Sequence, residues 1–371
     1  MCGLKTTSLH DRQSKVSTAD FARPVPKGSS FRQFMDSLPS TLAAGDLRQA
    51  VSAISKAVRT EKTVILGMGA HTIKVGLNPL IVDAIERGLL SGIAMNGAGI
   101  IHDVEIALAA KTSEDVAAHL GIGEFGMARE TSEFIHRAIA KSYCRGGEGL
   151  GRAVGEALLS ECVPHADASI LATAARCGLP VTVHVAIGTD IIHMHPEMNG
   201  AATGTLSHFD FRLLCALVSS LSHGVFINLG SAVIIPEVFL KAVSVAANLG
   251  FPLDGLTTIN MDFLRQYRPL LNVVQRPTVG GGVGINLTGH HEIMFPLLIA
   301  GVLEEIGSAD GRLGFAPMGF VGRDHGEVGK AEVGHGPHRR SYIEGIARGD
   351  QHNFDGFALE IGEQEVIVVD L

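Results

Sequence analysis

The chain has 371 residues, 46% of them apolar, with 45 glycines, 16 phenylalanines, three tyrosines and no tryptophan. That is enough to bury a large core, and the glycine-rich, aromatic-poor balance favours close helix–sheet packing in an α/β fold over an aromatic-rich β-sandwich. A formal charge of −8 without any long Lys/Arg cluster excludes a nucleic-acid surface, and no run reaches the roughly 18 apolar residues of a membrane span.

Residues 1–30 are polar, carry Pro24 and Pro26, and read as a flexible arm with no apolar targeting core. The segment "EKTVILGMGA" (61–70) is a short β-rich run ending in glycines, and "NPLIVDAIERGLL" (78–90) has helical spacing. "SGIAMNGAGIIHDVEIAL" (91–108) repeats strand, glycine turn and helix, and that alternation predicts βαβ units. Helix then strand follows over 168–190. Strand, glycine turn and helix follow over 223–250, with Pro236 in the first helical turn, where proline is tolerated. A strand over 255–262 and a last core helix over 292–307 complete the domain at 31–307. The Gly/His-rich tail 308–371 loses periodicity until "FALEIGEQEVIVVDL" (357–371), and is expected to be poorly ordered or a separate edge hairpin. Cys2, Cys144, Cys162, Cys177 and Cys215 are scattered, odd in number and without C-x-x-C spacing. They fit reduced thiols and a cytoplasmic protein.

The turns "LGMGA", "NGAG", "AIGTD" and "LGSA" each close a strand. In a parallel sheet such turns share one edge, where helix N-termini offer free N–H groups to phosphates. None is a full G-x-G-x-x-G, but four in the same structural slot point to a dinucleotide. His102, His184, His193, His195, His290 and His291 are expected near that edge. H-x-H is also a zinc arrangement, yet the adjacent His290 and His291 would point different ways, and the metal reading ranks below the cofactor one. Among the carboxylates beside these turns, Asp103 and Glu237 fall just inside helices that follow a glycine turn, where they could face a ligand or simply favour the helix dipole.

The order "VILGMGAHTIKVGLNPLIVDAIERGLLSGIAMNGAGIIHDVEIAL", "GEFG", "GLPVTVHVAIGTD", "FINLGSAVIIPEVFLKA" and "HHEIMFPLL" resembles deoxyhypusine synthase over residues 31–307. The resemblance implies a Rossmann-like parallel sheet with helices on both faces, NAD bound between subunits of a homotetramer, and a spermidine-dependent transfer to a protein lysine. It also implies that an N-terminal arm can cover a neighbouring site. Mapped onto this chain, it implies NAD contacts from Gly67, Gly69, Asn96, Gly97, Gly99, Asp190, Gly281, Gly282 and His290, with Gly284 also passing close to the cofactor. Catalytic roles fall to His290, His193, Asp103 and Glu237, and His102 is a further candidate base.

Departures from the family pattern are concentrated where the chemistry would lie. Ile101 and His102 replace acidic residues ahead of Asp103, and Ile235, Pro236 and Glu237 replace a Lys-His-His run. His290 stands where an aspartate near the ribose would be. The lysine that would carry an imine belongs between Asp262 and Gly289, and no lysine occurs between Lys241 and Lys330. The expected activity is therefore an NAD-dependent oxidoreductase or transferase acting on a small amine or polyamine without an enzyme-bound imine, with Glu237 and Asp103 holding the cation. A non-catalytic NAD-binding homologue and a true deoxyhypusine synthase are the alternatives.

Overall fold

The computed structural model describes residues 2–146 and 148–307 and, beyond them, the backbone of four short strands. Six parallel strands, β1 (Val64–Met68), β2 (Gly92–Asn96), β3 (Val181–His184), β4 (Val225–Leu229), β5 (Thr257–Asp262) and β6 (Val283–Thr288), form one sheet in the order β3-β2-β1-β4-β5-β6. This is the doubly wound order in which the connections reverse direction between β1 and β4.

The helices are α1 (Phe31–Ser37), α2 (Leu42–Arg59), α3 (His71–Lys74), α4 (Asn78–Glu86), α5 (Gly97–Ala109), α6 (Val116–Leu120), α7 (Arg129–Cys144), α8 (Leu150–Ser160), α9 (Ile170–Cys177), α10 (Gly200–Ser219), α11 (Ile234–Asn248), α12 (Tyr267–Pro269) and α13 (His291–Gly307). The strands alternate with period two between two apolar cores. Leu66, Met95, Ile227, Ile259 and Ile285 face the core shared with α2, α4, α5 and α13. Ile65, Ala94 and Phe226 face the core of α10 and α11, where Phe226 stacks on Phe239 with ring centroids 3.6 Å apart. Helices thus cover both faces, as the sequence pattern predicts. No helix among the described residues is long and apolar enough to cross a membrane.

The N-terminal segment is mostly exposed and is pinned by a few bonds. Arg23 N donates to Ser37 O at 2.8 Å, and Ser40 Oγ donates to Asp20 at 2.9 Å. At the other edge of the sheet, β3 is closed by one carboxylate. Asp210 of α10 accepts from Val183 N at 2.8 Å and from Leu150 N and Gly151 N at 3.0 Å, capping α8 and occupying the strand's free donor together. Burial pushes its carboxyl up to about 8. In the C-terminal segment, expectations for 308–371 fall outside the described residues except at β7 (Gly319–Phe320), β8 (Tyr342–Glu344), β9 (Phe357–Ile361) and β10 (Gln364–Val369), which form a second sheet in the order β10-β9-β8-β7.

Two expectations about turns are corrected. "AIGTD" does not feed a helix directly. β3 runs into an irregular loop with one 3₁₀ turn, Ile191–Met194, before α10 begins. The glycine stretch before His290 is not a turn at the carboxyl edge. Gly280, Gly281 and Gly282 lead into β6 and lie at the amino edge of the sheet, away from the helix N-termini. The small size of Gly282, and of Gly284 within β6, serves the fold. A Cβ on Gly282 would meet Leu256 O at 2.5 Å, and one on Gly284 would meet Val274 O at 2.0 Å, where a π-helical segment, Leu270–Gln275, packs against β6. Gly284→Ala should therefore force backbone movement and cost about 1–3 kcal/mol. The check is a lowered urea midpoint with an unchanged denaturant slope.

Candidate active site

At the carboxyl edge, the turns after β1 and β4 touch. Gly69 N donates to Leu229 O at 3.0 Å, and a Cβ on Gly69 would lie 2.4 Å from Gly230 O. Gly230, at φ +67°, accepts the ring of His291 against its own backbone, since a Cβ there would meet His291 Cε1 at 2.8 Å. His291 opens α13 and is 1% exposed. Its Nε2 lies 3.6 Å from Asp262 Oδ1 at the end of β5, a carboxylate equally buried. Neither ring nitrogen of His291 has a hydrogen-bond partner. Buried polar groups are nearly always satisfied, so an orphaned imidazole marks a place where a further group can bind.

Two exposed rings lie against this pair. His71, at the start of α3, sits edge-on to His291 with centroids 5.3 Å apart, and Phe263 does so at 5.7 Å. Burial, then the neighbouring His291, holds the His71 imidazole below its ordinary value. His290 stacks parallel to Phe263 at 6.4 Å, with Glu292 3.8 Å from its Nδ1. His71, Asp262, Phe263, His290, His291 and Glu292 therefore meet beside the switch point, where ligands bind in open α/β sheets. Among the described residues, no group of three or more His, Cys, Asp or Glu side chains is placed to hold a metal ion.

Beneath this cluster runs a line of amides. Asn228, Asn260 and Asn286 are in register on β4, β5 and β6. Asn228 Nδ2 donates to Asn260 Oδ1 and Asn260 Nδ2 to Asn286 Oδ1, each at 2.8 Å, and Asn286 Nδ2 donates to Thr288 at 3.2 Å. Asn228 Nδ2 also donates to Ser231 O at 2.9 Å, fixing the turn that carries Gly230. Sequence reasoning centred on glycines and ionisable groups misses these residues and His71. The available signal is a repeat, "INL", "INM" and "INL", at 227–229, 259–261 and 285–287.

The other predicted residues are elsewhere. Asp103 is wholly buried and accepts from Asn78 Nδ2 at 3.0 Å, Ser169 Oγ at 2.6 Å and the amides of Ile170 and Leu171 at 2.9 Å. It ties α4 and α5 to the N-terminus of α9, so its catalytic assignment is corrected to a structural one. Glu237 is engaged by Lys241, by Arg268 at 3.3 Å and by Asn272 at 2.9 Å, and Lys241 foremost holds its carboxyl below the usual range. Its charge joins α11 to the segment after β5 and is not free for a cationic substrate. His102 bonds Thr112 at 2.6 Å beside Glu105.

Asn96, Gly97, Gly99, Asp190 and His193 lie at the β2–β3 end of the edge. The ends of β3 and β6 are five strand spacings apart, roughly 24 Å, so His193 and His290 do not share a centre. Asn96 Oδ1 accepts from Gly99 N at 3.0 Å and caps α5. A Cβ on Gly97 would lie 2.0 Å from Asp190 Oδ2, so this glycine makes room for the protein's own carboxylate at the N-terminus of α5, where a phosphate was expected. Asp190 Oδ2 is itself buried without a donor. His193 Nδ1 accepts from Gly188 N at 3.2 Å, leaving its buried Nε2 unpartnered. Gly67 makes room for Ile235 and Phe226 under α11.

No family model and no curated protein sequence matches the chain. Solved structures similar to it include a putative deoxyhypusine synthase from Entamoeba histolytica, at 14% identity and TM-score 0.47, covering 79% of this chain and 98% of that one. Another is a conserved putative LOR/SDH protein from Methanococcus maripaludis S2, at 13% identity and TM-score 0.45, covering 81% and 75%. A third is the cyanobacterial arginine dihydrolase ArgZ, at 13% identity and TM-score 0.45, covering 72% of this chain but only 33% of its own. The chain thus spans about a third of ArgZ's length. These are loose likenesses of fold and do not place the chain in a family.

Burial, opposed by the amides of Ala186 and Ala98, lifts the Asp190 carboxyl from its ordinary 3.8 to about 6. The folded carboxyl holds its proton more tightly than the unfolded one, so this group favours folding most below about pH 4 and loses that contribution as pH rises through about 6. Asp190→Asn keeps an acceptor for both amides and carries no charge. It should match the parent near pH 4 and exceed its stability above pH 6, read from urea midpoints across that range. A variant weaker than the parent at pH 8 would mean that the α5 dipole outweighs burial. Asp103→Ala, in contrast, should cost on the order of 3 kcal/mol or more by orphaning several buried donors. It should leave turnover per folded molecule unchanged.

Proposed function

We propose that the chain is a nicotinamide-dinucleotide-dependent enzyme that oxidises a small amine, with His291 as the proton acceptor and Asp262 as its orienting carboxylate. The observation that carries this reading is the buried, unpartnered imidazole of His291, 3.6 Å from Asp262 at the switch point. A base held by a second group is the recurring arrangement for proton abstraction, and such contacts often tighten only when substrate is bound. His71 and Phe263 lie against the His291 ring and would shield it from bulk water. A cationic amine would be held by Glu292 and Asp262, since Asp103 and Glu237 are otherwise engaged.

The dinucleotide fits the crevice in three respects. The N-terminus of α11 faces the switch point, and the orphaned His291 nitrogens and Asn228 Oδ1 supply unspent polar atoms close by. Asp190 Oδ2 is an acceptor suited to a ribose hydroxyl, although its charge disfavours a phosphate at α5. A bound nicotinamide would supply the hydride acceptor.

His291 would take the proton from nitrogen as the hydride leaves carbon, leaving a substrate imine. No lysine between Lys241 and Lys330 is available to capture it, so water or a free amine would receive the carbon. Capture by water gives a carbonyl and releases ammonia or an amine. The homotetramer implied by the sequence resemblance is retained in this proposal. Phe263 at the site and Leu264, Tyr267 and Ile293 near it in sequence are large and exposed, and light scattering showing a stable monomer would count against the tetramer.

His291→Asn and Asp262→Asn should each lower amine-dependent NADH formation by about 10²–10⁴-fold while leaving NAD affinity, read by calorimetry, within a few-fold. Gly230→Ala should abolish turnover by displacing the His291 ring. Borohydride trapping with labelled amine should find no adduct on any lysine of the protein. Full activity in His291→Asn, or a trapped lysine, would sink the mechanism.

A further inference from the structure

The amino edge of the sheet holds a cleft of about 600 Å³ between α2 and the starts of β5 and β6. It lies at the opposite ends of the strands from His291. Lys56, Lys62 and His223 line it together with Gln49, Ser52 and Gly255, and no carboxylate does. Among the described residues neither lysine has an ion-pair partner. Lys56 lies in the last turn of α2, where a cation ordinarily complements the helix dipole. Lys62 has no such reason, since it lies beyond the helix in the turn into β1. In a chain with a formal charge of −8, two lysines and a histidine on one largely apolar cleft with no carboxylate in its lining run against the overall balance.

The backbone at His223 is a separate observation. His223 adopts φ +58°, uncommon for a residue with a Cβ. It faces Gly255 at φ +63°, where a Cβ would fall 2.3 Å from His223 Nδ1. Two left-handed turns therefore bring the imidazole to the cleft wall, and strain of this kind is concentrated where binding uses it.

The volume is in the range of small-molecule sites, and the polar groups converging there are ammonium, imidazole, amide and hydroxyl donors. We propose that this cleft binds a phosphorylated small molecule, as a site separate from the carboxyl-edge crevice. The lysines supply the charge and His223 a directional hydrogen bond to a phosphate oxygen. This inference does not depend on the activity proposed above.

Calorimetry on the full chain with inorganic pyrophosphate and with AMP tests it. Saturable one-to-one binding of either probe is expected, weakening as salt rises. Its affinity should fall at least about tenfold in Lys56→Ala/Lys62→Ala. It should also fall in His223→Asn, because asparagine tolerates the left-handed backbone and preserves the turn. Binding should be unchanged in His291→Asn and Gly230→Ala, which alter only the carboxyl edge. No saturable binding of either probe up to about 10 mM would overturn the proposal. So would binding that ignores the lysines, or binding lost in the carboxyl-edge variants instead.

Discussion

The asparagine ladder across β4, β5 and β6 is the constraint on which the carboxyl edge depends. A side-chain amide buried between strands is costly unless both its donor and acceptor are used. Here the Nδ2 groups of Asn228 and Asn260 are each spent on the next strand, so the three strands are locked in one register. A slip of one residue would turn every asparagine to the opposite face, into the apolar core. The second hydrogen on Asn228 Nδ2 holds Ser231 O and thereby the turn that presents Gly230 to His291. The position of the candidate base is thus set from within the sheet and not by a flexible loop.

The ladder also explains why the two ends of the edge differ. On β1, Gly67 stands in register beside Asn228 and carries no side chain, so the polar line stops there. Beyond it, on β2 and β3, the edge is organised by a different device, Asp190 lodged over Gly97 at the start of α5. An anion is already in place at that helix terminus, supplied by the chain itself. The half near β4–β6 leaves Asn228 Oδ1 and both nitrogens of His291 unpartnered.

The βαβ order, the parallel sheet and the last core helix are legible in the sequence, because apolar periodicity and glycine turns recur at regular spacing. The glycines themselves mislead. Glycine signals a close approach of backbone but not of what, and in Gly97, Gly282 and Gly284 the approaching group is the protein's own. Asp103 and Glu237 fail for a related reason. A carboxylate in the first turns after a strand can face a ligand or bind neighbouring helices, and only three-dimensional packing separates the two. Strand β6 is hidden because its glycine and asparagine are poor strand formers and more glycines precede it. The threefold "IN" repeat identifies its partners only when read across strands.

The missing lysine acquires a structural setting as well. The connection from β5 to β6, where a lysine would be expected by resemblance, is occupied by α12 and the π-helical segment. Several of its polar side chains are committed, Arg268 and Asn272 to Glu237 and Arg276 to Asn272 at 2.6 Å. Phe263, at the start of this connection, reaches the His291 cluster. A lysine introduced into the packed part of the connection would have to displace these contacts before its amine could approach the edge. What the segment offers the site is an apolar wall; Lys74 of α3 lies near His71, and the groups in direct contact beside that wall are imidazoles and carboxylates. Such groups can hold and move protons, but they do not form a stable imine. The packing between β5 and β6 therefore gives this edge an apolar wall and, between Lys241 and Lys330, no lysine.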